Sequence, residues 1–402
     1  MMQTVSVEGK SSNEPEKGLQ WLFVLICCAP LLAFRASMLF TPLALYDFIF
    51  YWASGHLFLT GGHPYSEAAM RSIVLSYGGN PAWPVMTFCP PWGMPIAGAM
   101  AVLPFHLAQR VWFAISLVLD CFSTLGLWIY FDGEKRKAWI AILIAATFIP
   151  MGGAEFVCQI TPLMLASLTA FLLLLKSKQH FAAGILLLGF GFKPHLLYLV
   201  FLVVLFWIVK TRAWTMLAGA VLSYGAATAG AYLNNPNSLD YLHQTVGTAL
   251  NVSCGLGGAL RSIFGVQHVW LQFLPCCFGV VWFLYYWIKH QRQWNWQAHL
   301  PLLLIVSVCS SPYCWNHDFI LILPALIAVA VQGSFRSISV AAAYLVVQAV
   351  AFALGLPPAW ASAAGTLWIA VYIIAKTKAT PREISEEVDS LICNREAHEA
   401  SQ

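Results

Sequence analysis

The chain has 402 residues, of which 59% are hydrophobic and only 9% charged, against roughly 25% charged in an ordinary soluble domain, so water is not its main solvent. Apolar runs recur from Trp21 to Ala375 and leave no stretch for a sizeable soluble domain; at about 20 residues per crossing they make room for about 11 to 13 spans. The net charge of +4 does not argue for a nucleic-acid partner, and none is expected.

Residues 1–19 are polar and mix Glu8, Glu14 and Glu16 with Lys10 and Lys17, unlike the basic start and cleavage site of a signal peptide. They read as a cytoplasmic N-terminal segment, and Trp21–Phe40 as a retained first span. The charged stretch 377–402 reads as a cytoplasmic tail. Between them, 20–376 is expected to form one all-α domain, a polytopic transmembrane helical bundle.

Basic clusters at Lys135-Arg136-Lys137, Lys176/Lys178, Lys210/Arg212, Lys289/Arg292, Arg336 and Lys376/Lys378 fix the orientation, because cytoplasmic turns carry the excess of Lys and Arg. The alternate turns then face outward, beginning with the segment 41–106. Within it, Asp47 to Thr60 reads as an amphipathic stretch lying along the membrane surface and ended by Gly61-Gly62, followed by a short helix from Ser66 to about Ser76. Trp92–Leu103 is short for a crossing and reads as an interfacial or re-entrant element. Phe181–Phe192 is also short and runs into Lys193-Pro194, where proline disfavours helix in the residue before it; a broken helix pair is expected there.

Eleven cysteines are scattered without a C-x-x-C pattern and read as small apolar fillers. No metal cluster or cofactor motif is recognisable, and neither is expected.

An ionised group inside a bilayer costs several kcal/mol unless paired or hydrated, so each embedded charge needs a reason. Asp47, Glu67, Glu155, Asp240 and Asp318 fall on the outward side. Asp47 stands where the first span gives way to the surface stretch and suits either a helix cap or a group meeting a lipid headgroup. His317-Asp318 sits at an outward helix start, which favours anions, although by the residues alone an interface anchor and a helix cap are the slightly stronger reading. Lys193 beside a proline break has no cytoplasmic turn to explain it, and phosphate binding is the natural use of such an ammonium. Arg261, in a glycine-rich outward loop, opposes the positive-inside trend and is a second phosphate-contact candidate.

The ordered pieces Asp47-Phe-Ile-Phe-Tyr-Trp-Ala-Ser-Gly, Gly62-His-Pro-Tyr65, Cys89-Pro-Pro-Trp92, Leu103-Pro-Phe, Cys158-Gln-Ile-Thr, Phe192-Lys-Pro-His195 and Ser311-Pro-Tyr-Cys-Trp-Asn-His317 together resemble family 87 glycosyltransferases. This GT-C class group includes polyprenol-phosphate-mannose-dependent α-1,2-mannosyltransferases. The resemblance implies a GT-C type bundle that moves a hexose, expected to be mannose, from a polyprenyl-phosphate donor to a lipid- or glycan-linked hydroxyl. The active site would lie on the extracytoplasmic face of a bacterial-type inner membrane. It implies catalytic roles for Asp47, as general base, and His317; donor-phosphate binding by Lys193, with Arg261 beside it; and substrate contacts from Tyr51, Trp52, Tyr65, Gln159 and Trp315. Cys158 stands where the family usually has glycine, and Val252 where it has glutamine. Direct displacement from a lipid phosphate would invert the sugar carbon. The competing reading is a lipid-linked glycan transporter or flippase, in which Lys193 and the broken helices bind an anionic substrate at the midplane.

Overall fold

The computed structural model describes residues 46–83, 85, 89–243, 253–354 and 369–374, together with Ala29, Ala33 and Ser37. Apart from those three positions, the expected first span Trp21–Phe40 lies outside the described residues. So do the N-terminal segment 1–19, the tail 377–402, and Asn251 and Val252.

Among the described residues every regular element is helical: α1 Tyr46–Leu59, α2 Glu67–Ser76, α3 Met94–Ala101, α4 Phe105–Tyr130, α5 Ala138–Thr147, α6 Ile149–Phe156, α7 Thr161–Lys176, α8 His180–Phe190, α9 Tyr198–Thr211, α10 Trp214–Asn234, α11 Leu256–Phe264, α12 Leu274–His290, α13 Trp296–Ser310, α14 Leu323–Val331 and α15 Phe335–Ala353, joined by 3-10 turns. The chain is an all-α polytopic membrane protein. Among the described residues three helices are long and apolar enough to cross alone, Phe105–Tyr130, Trp214–Asn234 and Val269–Gln293, while Lys135–Thr147 and Ile149–Phe156 form one apolar run bent by 58°. Other apolar helices, such as Thr161–Lys176 and Trp296–Ser310, have 10–17 residues. At 1.5 Å per residue these are shorter than the ~30 Å hydrocarbon core, so the apolar runs counted in the sequence are cut by turns within the bilayer's depth.

The shortest of the expected elements behave as their lengths demand. Helix α3 has eight residues, about 12 Å of rise, and cannot cross. It packs on α1 instead, where a Cβ at Gly55 would lie 2.0 Å from the Ala97 carbonyl oxygen; only glycine permits that backbone approach. Helix α1 is docked rather than lying free on the surface: Phe48 to Ser54 are all buried, and exposure is confined to its end at Leu59 and Thr60. Ser66 caps α2 through the Ala69 amide, at the start expected for that short helix. The break at Lys193-Pro194 is present between α8 and α9.

Hydrogen bonds sort the turns into two ends. Lys176, at the end of α7, donates to the Tyr130 carbonyl and to Asp132. Gln297, at the start of α13, reaches the same carboxylate, and Lys210 donates to the Gln291 carbonyl. The basic turns therefore converge on one end, as the charge asymmetry requires. Along α4, Trp112 is bonded to the Gln159 carbonyl, and from Trp112 to Tyr130 the helix rises about 27 Å. Gln159 is therefore held near the opposite end, about one hydrocarbon thickness away.

Candidate active site

The polar residues of that opposite end come from four separated stretches. Asp47 is in the first described turn of α1. Gln159 follows α6, whose end is a Schellman-type turn: the Gln159 amide bonds back to the Ala154 carbonyl and the Cys158 amide to Glu155. Cys158 takes a left-handed φ of 51° there, the position at which helices ordinarily place glycine. A side chain held in that conformation carries a strain of about 1–3 kcal/mol. Lys193 lies in the break between α8 and α9, and His317-Asp318 opens the 3-10 turn Asn316–Ile322.

These stretches meet in one chain of contacts. The Gln159 Nε2 donates to Asp47 Oδ2 at 3.0 Å and lies 3.2 Å from His317 Nε2. His317 Nε2 is 3.9 Å from Asp47 Oδ2 and 3.7 Å from Asp318 Oδ1. Lys193 Nζ donates to Asp318 Oδ1 at 2.7 Å across 125 residues of sequence. The other carboxylate oxygen, Asp318 Oδ2, accepts the Trp315 amide at 2.8 Å. Asp318 is therefore both the cap of its turn and the counter-ion of Lys193. The Lys193–Asp318 side chains are 9% and 0% exposed, whereas His317 and Asp47 are 12% and 18% exposed. Asp318 is sealed at the floor, Lys193 and His317 are nearly buried above it, and Asp47 is the most accessible of the four, at the rim.

The remaining expected site residues are placed around this knot in different ways. Tyr51 donates to Gln159 Oε1 at 2.7 Å, and the Trp315 ring stacks over His317 with centroids 6.5 Å apart. Trp52 points away: its indole donates to the Leu103 carbonyl and its ring stacks on His56, so it holds α1 against the α3–α4 turn. Tyr65 donates to the Cys89 carbonyl and packs against Tyr241. Trp92 joins that aromatic group to the Lys193 segment by donating to the Gly191 carbonyl at 3.0 Å. Arg261 is buried in α11, with Nε and Nη2 on the Val266 carbonyl and Nη1 on Gln272 Oε1. Gln272 in turn donates to the Pro312 carbonyl at 2.6 Å. Arg261 thus braces the 311–317 segment from behind.

Sequence reasoning weighed Asp318 as a cap and missed it as the partner of Lys193. It also passed over Trp112, which fixes the Gln159 backbone. Among the described residues no group of three or more His, Cys, Asp or Glu side chains is arranged to hold a metal ion.

An open apolar groove of about 670 Å³ runs along α11, α12 and α13, with Leu260, Ile263, Phe278, Trp282 and Val306 on its walls and Ser310 at one edge. Ser310 immediately precedes the segment that carries His317 and Asp318.

No curated protein and no solved structure matches the chain. A family model described as glycosyltransferase family 87 matches residues 88–312. That interval holds Gln159, Lys193 and Arg261, stops short of His317, and starts after Asp47. Covering more than half of the 402 residues, it establishes that this all-helical membrane protein belongs to glycosyltransferase family 87.

Proposed function

We propose that this membrane glycosyltransferase moves a hexose, mannose in the first instance, from a polyprenyl-phosphate donor to a hydroxyl of a lipid- or glycan-linked acceptor. Inversion occurs at the sugar carbon, on the extracytoplasmic side of a bacterial-type inner membrane, and 20–376 acts as one catalytic domain. The observation that carries this reading is the convergence of Asp47, His317 and the Lys193–Asp318 pair at the end of the bundle opposite the basic turns.

In the proposed step Asp47 takes the proton of the acceptor hydroxyl as its oxygen attacks the anomeric carbon. The bond from that carbon to the phosphate oxygen breaks, and polyprenyl phosphate departs as an anion. Lys193 has three ammonium donors, one of them on Asp318, and turns the others to the leaving phosphate. Asp318 keeps the ammonium in place at rest, when no phosphate balances it. Arg261 supports phosphate binding by holding the loop that carries His317. The aromatic group of Tyr65, Tyr241 and Trp92 offers faces to sugar rings. The apolar groove beside Ser310 suits the isoprenoid chain of the donor, its volume lying within the usual ligand range of ~300–1,000 Å³.

The test is turnover of a radiolabelled or fluorescent polyprenyl-phosphate hexose by wild type and Asp47→Asn in nanodiscs. New glycosidic product from wild type and none from a folded Asp47→Asn is expected. Equal turnover by the two would remove Asp47 as the base, and movement of donor across the bilayer without product would replace transfer by transport.

A further inference from the structure

The Gln159 side chain has no capacity left for a substrate. A carboxamide offers two acceptor lone pairs and two donor hydrogens. Its Oε1 accepts the Tyr51 hydroxyl at 2.7 Å and the Ile160 amide at 2.9 Å. Its Nε2 faces Asp47 Oδ2 at 3.0 Å and His317 Nε2 at 3.2 Å. Which end is oxygen is settled twice over. A backbone N–H only donates, so the atom it meets is the oxygen; and the carboxylate of Asp47 only accepts, so the atom it meets is the nitrogen. The backbone of the residue is fixed as well, by the turn bond to Ala154 and by the Trp112 indole on its carbonyl.

From this geometry we infer that Gln159 is a positioning residue which sets the protonation pattern of the reacting pair. It holds Asp47 as an acceptor and keeps the His317 proton on Nδ1, with the one lone pair of Nε2 on the Gln159 hydrogen. The Gln159 nitrogen carries two hydrogens and can only donate, so the histidine nitrogen facing it must accept. A neutral imidazole has one proton, which then resides on Nδ1. Nε2 of His317 is therefore no hydrogen-bond donor to phosphate while Gln159 holds it, and His317 stands beside Asp47 as a neutral, positioned imidazole. This deepens the proposed reaction and rests on it for the role of Asp47 as base. The tautomer itself does not depend on it. The charged groups facing His317 are Asp47, Asp318 and Lys193, and Tyr51 faces Asp47, Cys89, Asp318 and Tyr313.

The first arm of the test needs no turnover. Full-length protein labelled with 15N-histidine in nanodiscs is compared with His317→Gln, or with His317→Asn if the first does not fold, to assign one of the eleven histidines. At neutral pH the expected signals are a protonated Nδ1 and an unprotonated Nε2; the reverse tautomer overturns the inference. In the second arm, Gln159→Glu replaces the donor NH2 by a carboxylate oxygen of the same size. The added negative charge favours protonation of both neighbours. The acidic limb of kcat should move to higher pH by about one unit, and kcat should fall about 10–100-fold with donor KM nearly unchanged, as for loss of a supporting hydrogen bond. A residue that only packs, or only touches substrate, would leave the limb in place, and a raised KM with an unmoved limb would return Gln159 to substrate binding. If wild type yields no product from the polyprenyl-phosphate hexose, the reaction is wrong while the tautomer measurement still decides the role of Gln159.

Discussion

The two ends of the bundle carry nearly the same polar parts list and use it differently. At the basic end Lys176 donates to Asp132 at 2.6 Å and Gln297 donates to the same carboxylate at 2.9 Å. At the other end Lys193 donates to Asp318 at 2.7 Å and Gln159 to Asp47 at 3.0 Å. What differs is solvent: Lys176 and Asp132 are 41% and 68% exposed, Lys193 and Asp318 9% and 0%. An exposed ion pair gains about 0–1 kcal/mol because water screens it and competes for it. Splitting a buried pair leaves an uncompensated charge at a cost of about 3–5 kcal/mol. The end opposite the basic turns also separates its duties, with one carboxylate holding the lysine and the other left at the rim facing histidine, whereas the basic end gathers both donors on a single aspartate. The contrast teaches that the pairing at the basic end fastens turns, whereas the pairing at the opposite end keeps a charge buried beside the rim, which in the proposed reaction serves the substrate phosphate.

The largest effect should follow removal of the rim carboxylate. Asp47→Asn is expected to lower kcat by at least about 10²–10⁴-fold, the usual range for losing a general base, with thermal unfolding in detergent little changed. Removing the floor should do something different. Asp318→Ala leaves the Lys193 ammonium buried and alone and frees the Trp315 amide, at about 3–5 kcal/mol, so thermal unfolding should fall sharply. The double change Lys193→Met with Asp318→Leu should recover most of that stability while yielding no product. A double variant as unstable as the single one would break the contrast, and one that still turns over would detach Lys193 from the phosphate. A smaller effect is expected in the groove: Leu260→Trp fills part of it, and KM should rise about tenfold for a long-chain donor but not for a short-chain, water-soluble analogue.

Much of this architecture was legible in the residues, and the illegible part has a physical cause. The membrane class, the gathering of Asp47, Lys193 and His317 away from the basic turns, the short non-crossing α3 and the break at Pro194 all follow from where charges, prolines and apolar runs occur. The docking of α1 did not. In a bilayer a helix can be apolar on every face, so hydrophobic period does not say which face meets protein. In α4 the signal runs the other way: Ser116, Asp120, Ser123 and Thr124 are buried while Val118 and Ile129 are exposed, so small polar residues at helical spacing mark the packed side. Two long-range pairings were equally hidden. Nothing local in Lys193 names Asp318 as its partner 125 residues away, and nothing in the Cys158-Gln159 pair announces that the glutamine is saturated by Tyr51, Ile160, Asp47 and His317. The family match, confined to 88–312, does not reach Asp47 or His317 either, and the three-dimensional fold brings them against Gln159 within it.

The smallest expected effect tests the other half of the comparison. Hydrogen bonds from Lys176 and from Gln297 hold the Asp132 carboxyl below its ordinary range. A carboxyl whose folded value is lowered adds stability that is present above the ordinary carboxylate range near about 4 and is lost as pH falls through the lowered value. Because the pair is exposed, that contribution should be below about 1 kcal/mol. Asp132→Asn should therefore lower thermal stability slightly at pH 7, and the gap from wild type should close as pH is taken down through the acid range, because wild type then loses the same charge. Turnover at pH 7 should stay within about twofold, since Asp132 lies about a hydrocarbon thickness from Gln159 along α4. A stability loss as large as that of Asp318→Ala would mean that burial does not divide the two pairs. A gap that does not change with pH would mean that the turn is held by shape and backbone contacts rather than by the Asp132 charge.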